Sequence, residues 1–155
     1  MKIIGIDPAF RESGFGVCIL TDHEATFPKV RSFIDFFRFA SEMPTDGNTV
    51  FVVENSNLQN ATFASYKANA RQLQRISRNI GANQAVSQMS VDYLHHLGHL
   101  VIEVSPLEKG AKLNQKAITY IAKAEGIEIP AKLSQDDRDA FKLAIQQKNA
   151  KKVHF

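Results

Sequence analysis

The chain has 155 residues, of which 44% are hydrophobic and 23% charged, the make-up of one globular domain long enough to bury a core rather than of a disordered chain. No apolar run approaches the roughly 20 residues of a membrane span, and the opening MKIIGIDP lacks the apolar stretch and cleavage site of a secretory leader. The net charge of +3 is unevenly spread, with five Lys or Arg against eight Asp or Glu in residues 1–54 and fourteen against eight in residues 55–155, an asymmetry that points to a polyanionic partner.

In chain order, residues 2–7 (KIIGID) and 14–20 (GFGVCIL) read as two strands joined as a hairpin. The single cysteine, Cys18, lies in the second strand. It reads as a buried, inert thiol, and the absence of a possible internal disulfide fits a reducing, cytoplasmic setting. A short third strand is expected near His23–Phe27. Residues 29–42 place Val30, Phe33, Phe37 and Ala40 at helical spacing. Pro44, Asp46 and Gly47 then mark a loop. Residues 49–54 (TVFVVE) form a nearly continuous apolar run, as in an interior parallel strand. A long helical stretch is expected from about residue 64 to 97, with Gly81 a place for a bend. Residues 99–104 form another strand, closed by Ser105-Pro106. A helix follows over residues 114–125, capped by Asn114 and ended by Gly126. The last helix begins at the N-cap Ser134 and runs to about Asn149, and the remaining tail is expected to fray. This order predicts an α/β sheet of mixed strand direction.

Two strands end in carboxylates, Asp7 and Glu54. In such sheets functional groups gather at strand ends, and parallel neighbours would bring the two acids face to face. Asp136 and Asp139 in the last helix are three apart, with Cβ atoms about 5–6 Å from each other on one face. Carboxylates that converge with no lysine or arginine among them either rise in pKa or share a divalent cation. Each acid also has an ordinary role: a turn at Asp7-Pro8, a cap at Glu54, dipole stabilisation in the first turn of a helix.

From Asn55 to Val91 there is no Asp or Glu, while Lys67, Arg71, Arg75 and Arg78 recur on one helical face. Such a stripe suits a phosphate backbone. Asn57, Gln59, Asn60, Gln72 and Gln74 would add donors, and Phe63 and Tyr66 would stack on an unpaired base or pack in the core. In HHLGH, His95 and His99 are four apart, but no third ligand has suitable spacing, so a zinc site is disfavoured against a histidine pair at a helix C-terminus.

IIGIDPAFRESGFGV resembles the opening strand and hairpin of RuvC-type Holliday junction resolvases. FVVEN resembles the strand carrying that family's catalytic Glu, DDRDAFKLA its closing helix, and VIEVSPLEKGAKLNQKAITYIA its strand, proline, basic loop and helix. The likeness spans nearly the whole chain. It departs at Ala9, where the family has Gly, at bulky Phe10, and in the longer polar segment after Glu54. The resemblance implies an RNase H-like α/β fold, a mixed sheet with helices on both faces, as a single nuclease domain over residues 1–150 with a basic tail at 151–155. It further implies a homodimer that makes paired symmetric nicks in four-way DNA, with no membrane partner, and the divergent form suggests a phage or prophage enzyme. Asp7, Glu54, Asp136 and Asp139 would be the metal-binding and catalytic acids, holding two Mg²⁺ per site, with Mn²⁺ as a substitute. Lys109 or Lys112 would be the loop lysine near the cleavage point. Lys116 would be the lysine opening the next helix, contacting DNA and stabilising charge on the reacting phosphate. Ile80, Val86, Met89 and Tyr93 would form either the dimer face or core. An RNase H-like nuclease for another branched or hybrid nucleic acid, and a catalytically idle DNA-binding relative, are the alternatives.

Overall fold

Strand β1 (Lys2–Asp7) occupies the middle of a five-stranded sheet ordered β3-β2-β1-β4-β5 in the computed structural model, which describes residues 1–10, 14–58 and 69–152. β2 (Gly16–Leu20) pairs antiparallel with β1, and the two-residue β3 (Ala25–Thr26) pairs antiparallel with β2. β4 (Thr49–Glu54) runs parallel to β1, and β5 (Leu100–Val104) parallel to β4. The sheet is therefore mixed, as the element order predicts.

Alternation along the strands divides the core in two. Ile4 and Ile6 of β1, Phe51 and Val53 of β4, and Val17 of β2 face one way. They pack on Phe36 and Ala40 of α1 (Phe33–Glu42) and on Val86, Val91 and Leu94 of α2 (Ala70–His96). Ile3, Val50, Val52, Cys18 and Leu20 face the other way. There they meet Ile118 and Ala122 of α4 (Gln115–Ala124), and Ala140, Phe141 and Ala144 of α5 (Gln135–Lys152). Helices thus cover both faces. Among the described residues no helix is long and apolar enough to cross a membrane.

Several boundaries differ from the sequence expectation, each for a local reason. Helix α1 starts at Phe33, not Lys29, because the Ser32 hydroxyl accepts the Asp35 N–H at 3.1 Å and fixes the first turn. Val30, expected on the helical stripe, instead bridges to Phe15 beside the sheet. Phe36, outside that stripe, is the fully buried large residue of the helix, stacked on Phe15 with ring centroids 4.9 Å apart. Helix α2 runs without interruption through Gly81 and starts in a capping box between Asn69 and Gln72; residues 64–68 of the expected helix lie outside the described residues. Ser105-Pro106, read as the end of a strand, opens a one-turn helix, α3 (Pro106–Lys109), with Ser105 as N-cap and Pro106 at its first position. Helix α5 continues through Lys152, past the expected end at Asn149.

The histidines separate. His95 and His96 sit exposed in the last turn of α2. His99 has left the helix: it is buried, its Nε2 lies 2.8 Å from the Ala40 carbonyl oxygen, and its ring packs on Phe51 at 4.7 Å. It fastens α1 to the start of β5. Val86 and Tyr93 also belong to the core, Tyr93 against Phe37 at 4.3 Å, whereas Met89 is exposed and Ile80 half-buried.

Candidate active site

The same alternation that builds the core aims the acids. Ile3, Gly5 and Asp7 share one face of β1, and Val50, Val52 and Glu54 share that face of β4. Since Ile6 is the partner of Val53 in the parallel register, Asp7 and Glu54 follow as neighbours at the two strand ends, both toward α5. Helix α5 lies directly on this surface because two residues lack side chains. A Cβ at Gly5 would stand 2.0 Å from the Ala140 carbonyl oxygen, and one at Gly16 would stand 2.1 Å from that of Asp136. This close approach delivers Asp139 to the strand ends.

A cleft of about 430 Å³ opens there, lined by Asp7, Glu54, Asp136 and Asp139 together with Lys109 and Lys112, and walled by Asn83 and Ser87 of α2. The expectation of acids converging with no lysine among them is corrected. The Lys109 ammonium pairs with Glu54 and stands 3.9 Å from an Asp7 oxygen and 3.7 Å from an Asp139 oxygen. Among the described residues no group of three Asp, Glu, His or Cys is arranged to hold a metal ion as it stands; an ammonium sits among the acids instead. α3 places it there. The Lys109 side chain is only 8% exposed.

Electrostatics follow from burial. Withdrawal from water pushes the Asp7 carboxyl up to about 7; Lys109 opposes this, while Glu54, Asp139 and Asp136 add to it. Burial lowers the Lys109 ammonium, but Asp7, the hydrogen bond to Glu54 and the remaining acids outweigh it, leaving the group above its ordinary value. Lys142, whose ammonium donates to the Ala111 carbonyl, is lowered by burial and by its neighbour Lys109.

Supporting residues that the sequence did not single out hold these groups in place. Gln135 donates to Asp139 Oδ1 at 2.9 Å and accepts from Arg138 at 2.7 Å. Arg138 also donates to the carbonyls of Leu113 at 3.0 Å and Leu133 at 2.6 Å, which pins the start of α5. Asn55, 1% exposed, fixes the chain just past Glu54. Its side chain donates to Glu103 at 2.7 Å and accepts from the Asn57 backbone at 3.0 Å and side chain at 2.8 Å. Asn57 in turn donates to the Gln84 carbonyl at 2.8 Å, tying this turn to α2. The side-chain nitrogen of Asn57, expected as a phosphate donor, is therefore engaged within the protein, whereas Gln72 uses only its side-chain oxygen, which accepts from the Asn69 backbone. A polar residue after a strand-end acid was the only sequence signal for Asn55; for Gly5 and Gly16 it was the lack of a side chain in an otherwise bulky strand pattern.

Apart from Lys109, the basic residues expected to meet DNA lie outside the acid cluster. Arg71, Arg75 and Arg78 are exposed on the first half of α2, and the buried residues of that helix begin only at Val86. The stripe thus occupies the half of α2 that precedes Asn83 and Ser87 at the cleft. Lys112 is exposed at the cleft rim, and Lys116 is exposed in the first turn of α4 without lining the cleft. Lys67, Phe63 and Tyr66 lie outside the described residues.

No protein-family model matches the chain, and no curated protein matches it. Among solved structures it is similar to T. thermophilus RuvC in complex with a Holliday junction substrate, with a TM-score of 0.57 and 14% identity over 99% of this chain and 96% of that one. At this identity the likeness speaks for the fold: the mixed sheet with helices on both faces is of the RNase H-like, RuvC type.

Proposed function

We propose that this chain is a Mg²⁺-dependent, structure-selective DNA endonuclease that resolves four-way junctions by paired symmetric nicks. The observation that carries the reading is the meeting of carboxylates from β1, β4 and α5 in one cleft of a RuvC-type fold. The donor chemistry fits a hard divalent ion: the acids in the cleft offer only oxygen ligands, and Asp7 is raised by burial and by like charge, the situation a bound dication relieves. Asp7, Glu54, Asp139 and Asp136 would hold the metal, with Mn²⁺ able to replace Mg²⁺. When bound, such ions supply activation of water and charge neutralisation at the leaving oxygen.

The chain's own residues do the rest. Gln135 and Arg138 keep the Asp139 carboxylate turned into the cleft. Arg71, Arg75 and Arg78 bind the phosphate backbone, together with Lys67, while Lys112 takes a phosphate at the cleft rim and Lys116 one beyond it. Water oxygen attacks the phosphorus as the bond to the 3′ oxygen breaks, giving a 5′ phosphate and a 3′ hydroxyl. A two-fold dimer would set two such clefts on a two-fold junction.

The test is a synthetic four-way junction incubated with Mg²⁺ and either the wild-type chain or Asp7→Asn, with flap and RNA–DNA hybrid substrates alongside. Symmetric nicks from the wild type, and binding without nicks from the variant, are expected. Equal cutting by the variant would reject the assignment of Asp7, and cutting confined to the hybrid or flap would move the reading to a different RNase H-like nuclease. Native mass separates dimer from monomer. Lys109 among the acids favours one second reading, a DNA-binding relative without catalysis, for which the junction is bound and never cut.

A further inference from the structure

Lys109 is the unusual member of the cleft. A lysine that serves as a phosphate contact belongs at the rim, like Lys112; Lys109 is turned inward and is one of the few buried charged residues in the described chain. Its ammonium touches an acid from each of the three elements that build the cleft. We infer that Lys109 is a resident counter-ion, which holds the acid cluster together in the metal-free protein and withdraws when a divalent cation binds. The inference rests on the metal-dependent reading of this cleft and adds to it a competition between a side chain and the ion.

The mounting of Lys109 suits such a withdrawal. It is the last residue of α3, a single turn, and is followed by Gly110 at φ 76°, a conformation open to glycine. Little else anchors α3: Leu107 is 85% exposed, and Pro106 only half-buried. The turn is held by the Ser105 cap, by a 3.2 Å hydrogen bond from the Gln146 side chain to the Lys109 carbonyl, and by the ammonium itself. Removing the ammonium from the acids therefore leaves α3 held by the Ser105 cap and Gln146 and disturbs little of the core. Two cations cannot share the space: like charges in a partly buried site repel, and the carboxylate oxygens facing Lys109 are those a metal needs. The displaced ammonium moves outward, toward the rim where a phosphate of the DNA would receive it.

Calorimetric titration with Ca²⁺ and Mg²⁺, which needs no turnover, tests this on wild type, Lys109→Met and Lys112→Met. With its competitor removed, Lys109→Met should bind the ion at least about tenfold more tightly, the equivalent of one pKa unit of differential interaction, and Lys112→Met should gain far less. A second measurement uses the wild-type chain alone and so does not depend on the variant folding. Acylation by a water-soluble N-hydroxysuccinimide ester, read by mass spectrometry, should be slow at Lys109 without metal and rise several-fold at saturating Ca²⁺, with Lys123 as an exposed reference. Unchanged affinity in Lys109→Met, an equal gain in Lys112→Met, or acylation of Lys109 indifferent to metal would each overturn the inference. If the wild type binds metal and nicks junctions in that case, the nuclease reading survives. If no variant binds a divalent ion at all, both fall together.

Discussion

A methyl group on Gly16 would meet the carbonyl oxygen of Asp136 at 2.1 Å. The backbone of β2 and the first turn of α5 touch directly, and the acid-bearing end of the helix rests on that approach. Gly16→Ala should therefore push α5 off the sheet, at a cost of about 1–3 kcal/mol for overpacking, and weaken both divalent-ion binding and nicking. Gly81→Ala is the informative contrast. Its Cβ would meet nothing within 4 Å, and an alanine inside a helix should stabilise by roughly 0.5–1 kcal/mol. Urea unfolding of the two variants separates them by sign.

Asp7 ties stability to pH. In the folded chain its carboxyl is pushed up to about 7 from an ordinary 3.8. Between those values the folded state keeps a proton that the unfolded chain has released, so stability falls as pH rises through this window and levels off above it. Metal-free wild type should show this fall relative to Asp7→Asn, which lacks the group. Calcium affinity should climb over the same range, because the ion displaces that proton. Denaturant midpoints and calorimetry from about pH 4 to 8 check both; parallel profiles for the two proteins would contradict the burial of Asp7.

The arginine stripe on α2 makes a prediction about salt. Arg71, Arg75 and Arg78 are exposed, on the half of the helix that precedes its buried residues. Replacing each by Gln should leave thermal stability within about 0.5 kcal/mol. The slope of log affinity against log salt should shrink by about 0.9 for each phosphate no longer neutralised. The weakening should be similar for junctions of different sequence, as backbone recognition requires. Fluorescence anisotropy at several salt concentrations measures it.

Asn55 carries a structural prediction for the far side of Glu54. Asn55→Ala removes the partner of Glu103 and of both Asn57 nitrogens, both of them exposed residues held by the one buried side chain of the turn. A cost of about 0.5–1.5 kcal/mol is expected for the lost hydrogen bonds, with a fall in nicking larger than the fall in DNA affinity, since Glu54 would lose its support while the arginines would not. Asn55→Asp, which keeps the acceptor for Asn57 but places a carboxylate against Glu103, should rescue neither stability nor nicking.

The strand-end acids were legible in the sequence because a strand has a period of two. Once KIIGID and TVFVVE are parallel neighbours, residues 7 and 54 must end on the same face, and Ser134 must open the helix that carries Asp136 and Asp139. The caps at Asn114 and Ser134 were legible for a similar reason, since each depends on a side chain and a backbone N–H only three residues apart. Helix α1 shows where local pattern misleads: Val30 fits the helical stripe, yet a bridge to Phe15 takes it for the sheet.

What the sequence determined by itself was the set of elements apart from α3, their order and the acids at their tips, all of which follow from short-range periodicity and capping. Tertiary structure alone decided that a lysine just past β5 turns inward to meet acids from three separate elements, that His99 bonds to a helix 59 residues away, and that Gly5 and Gly16 admit α5 to the sheet. These outcomes depend on distances between segments remote in the chain, and an encounter of that kind leaves no periodic trace in either partner.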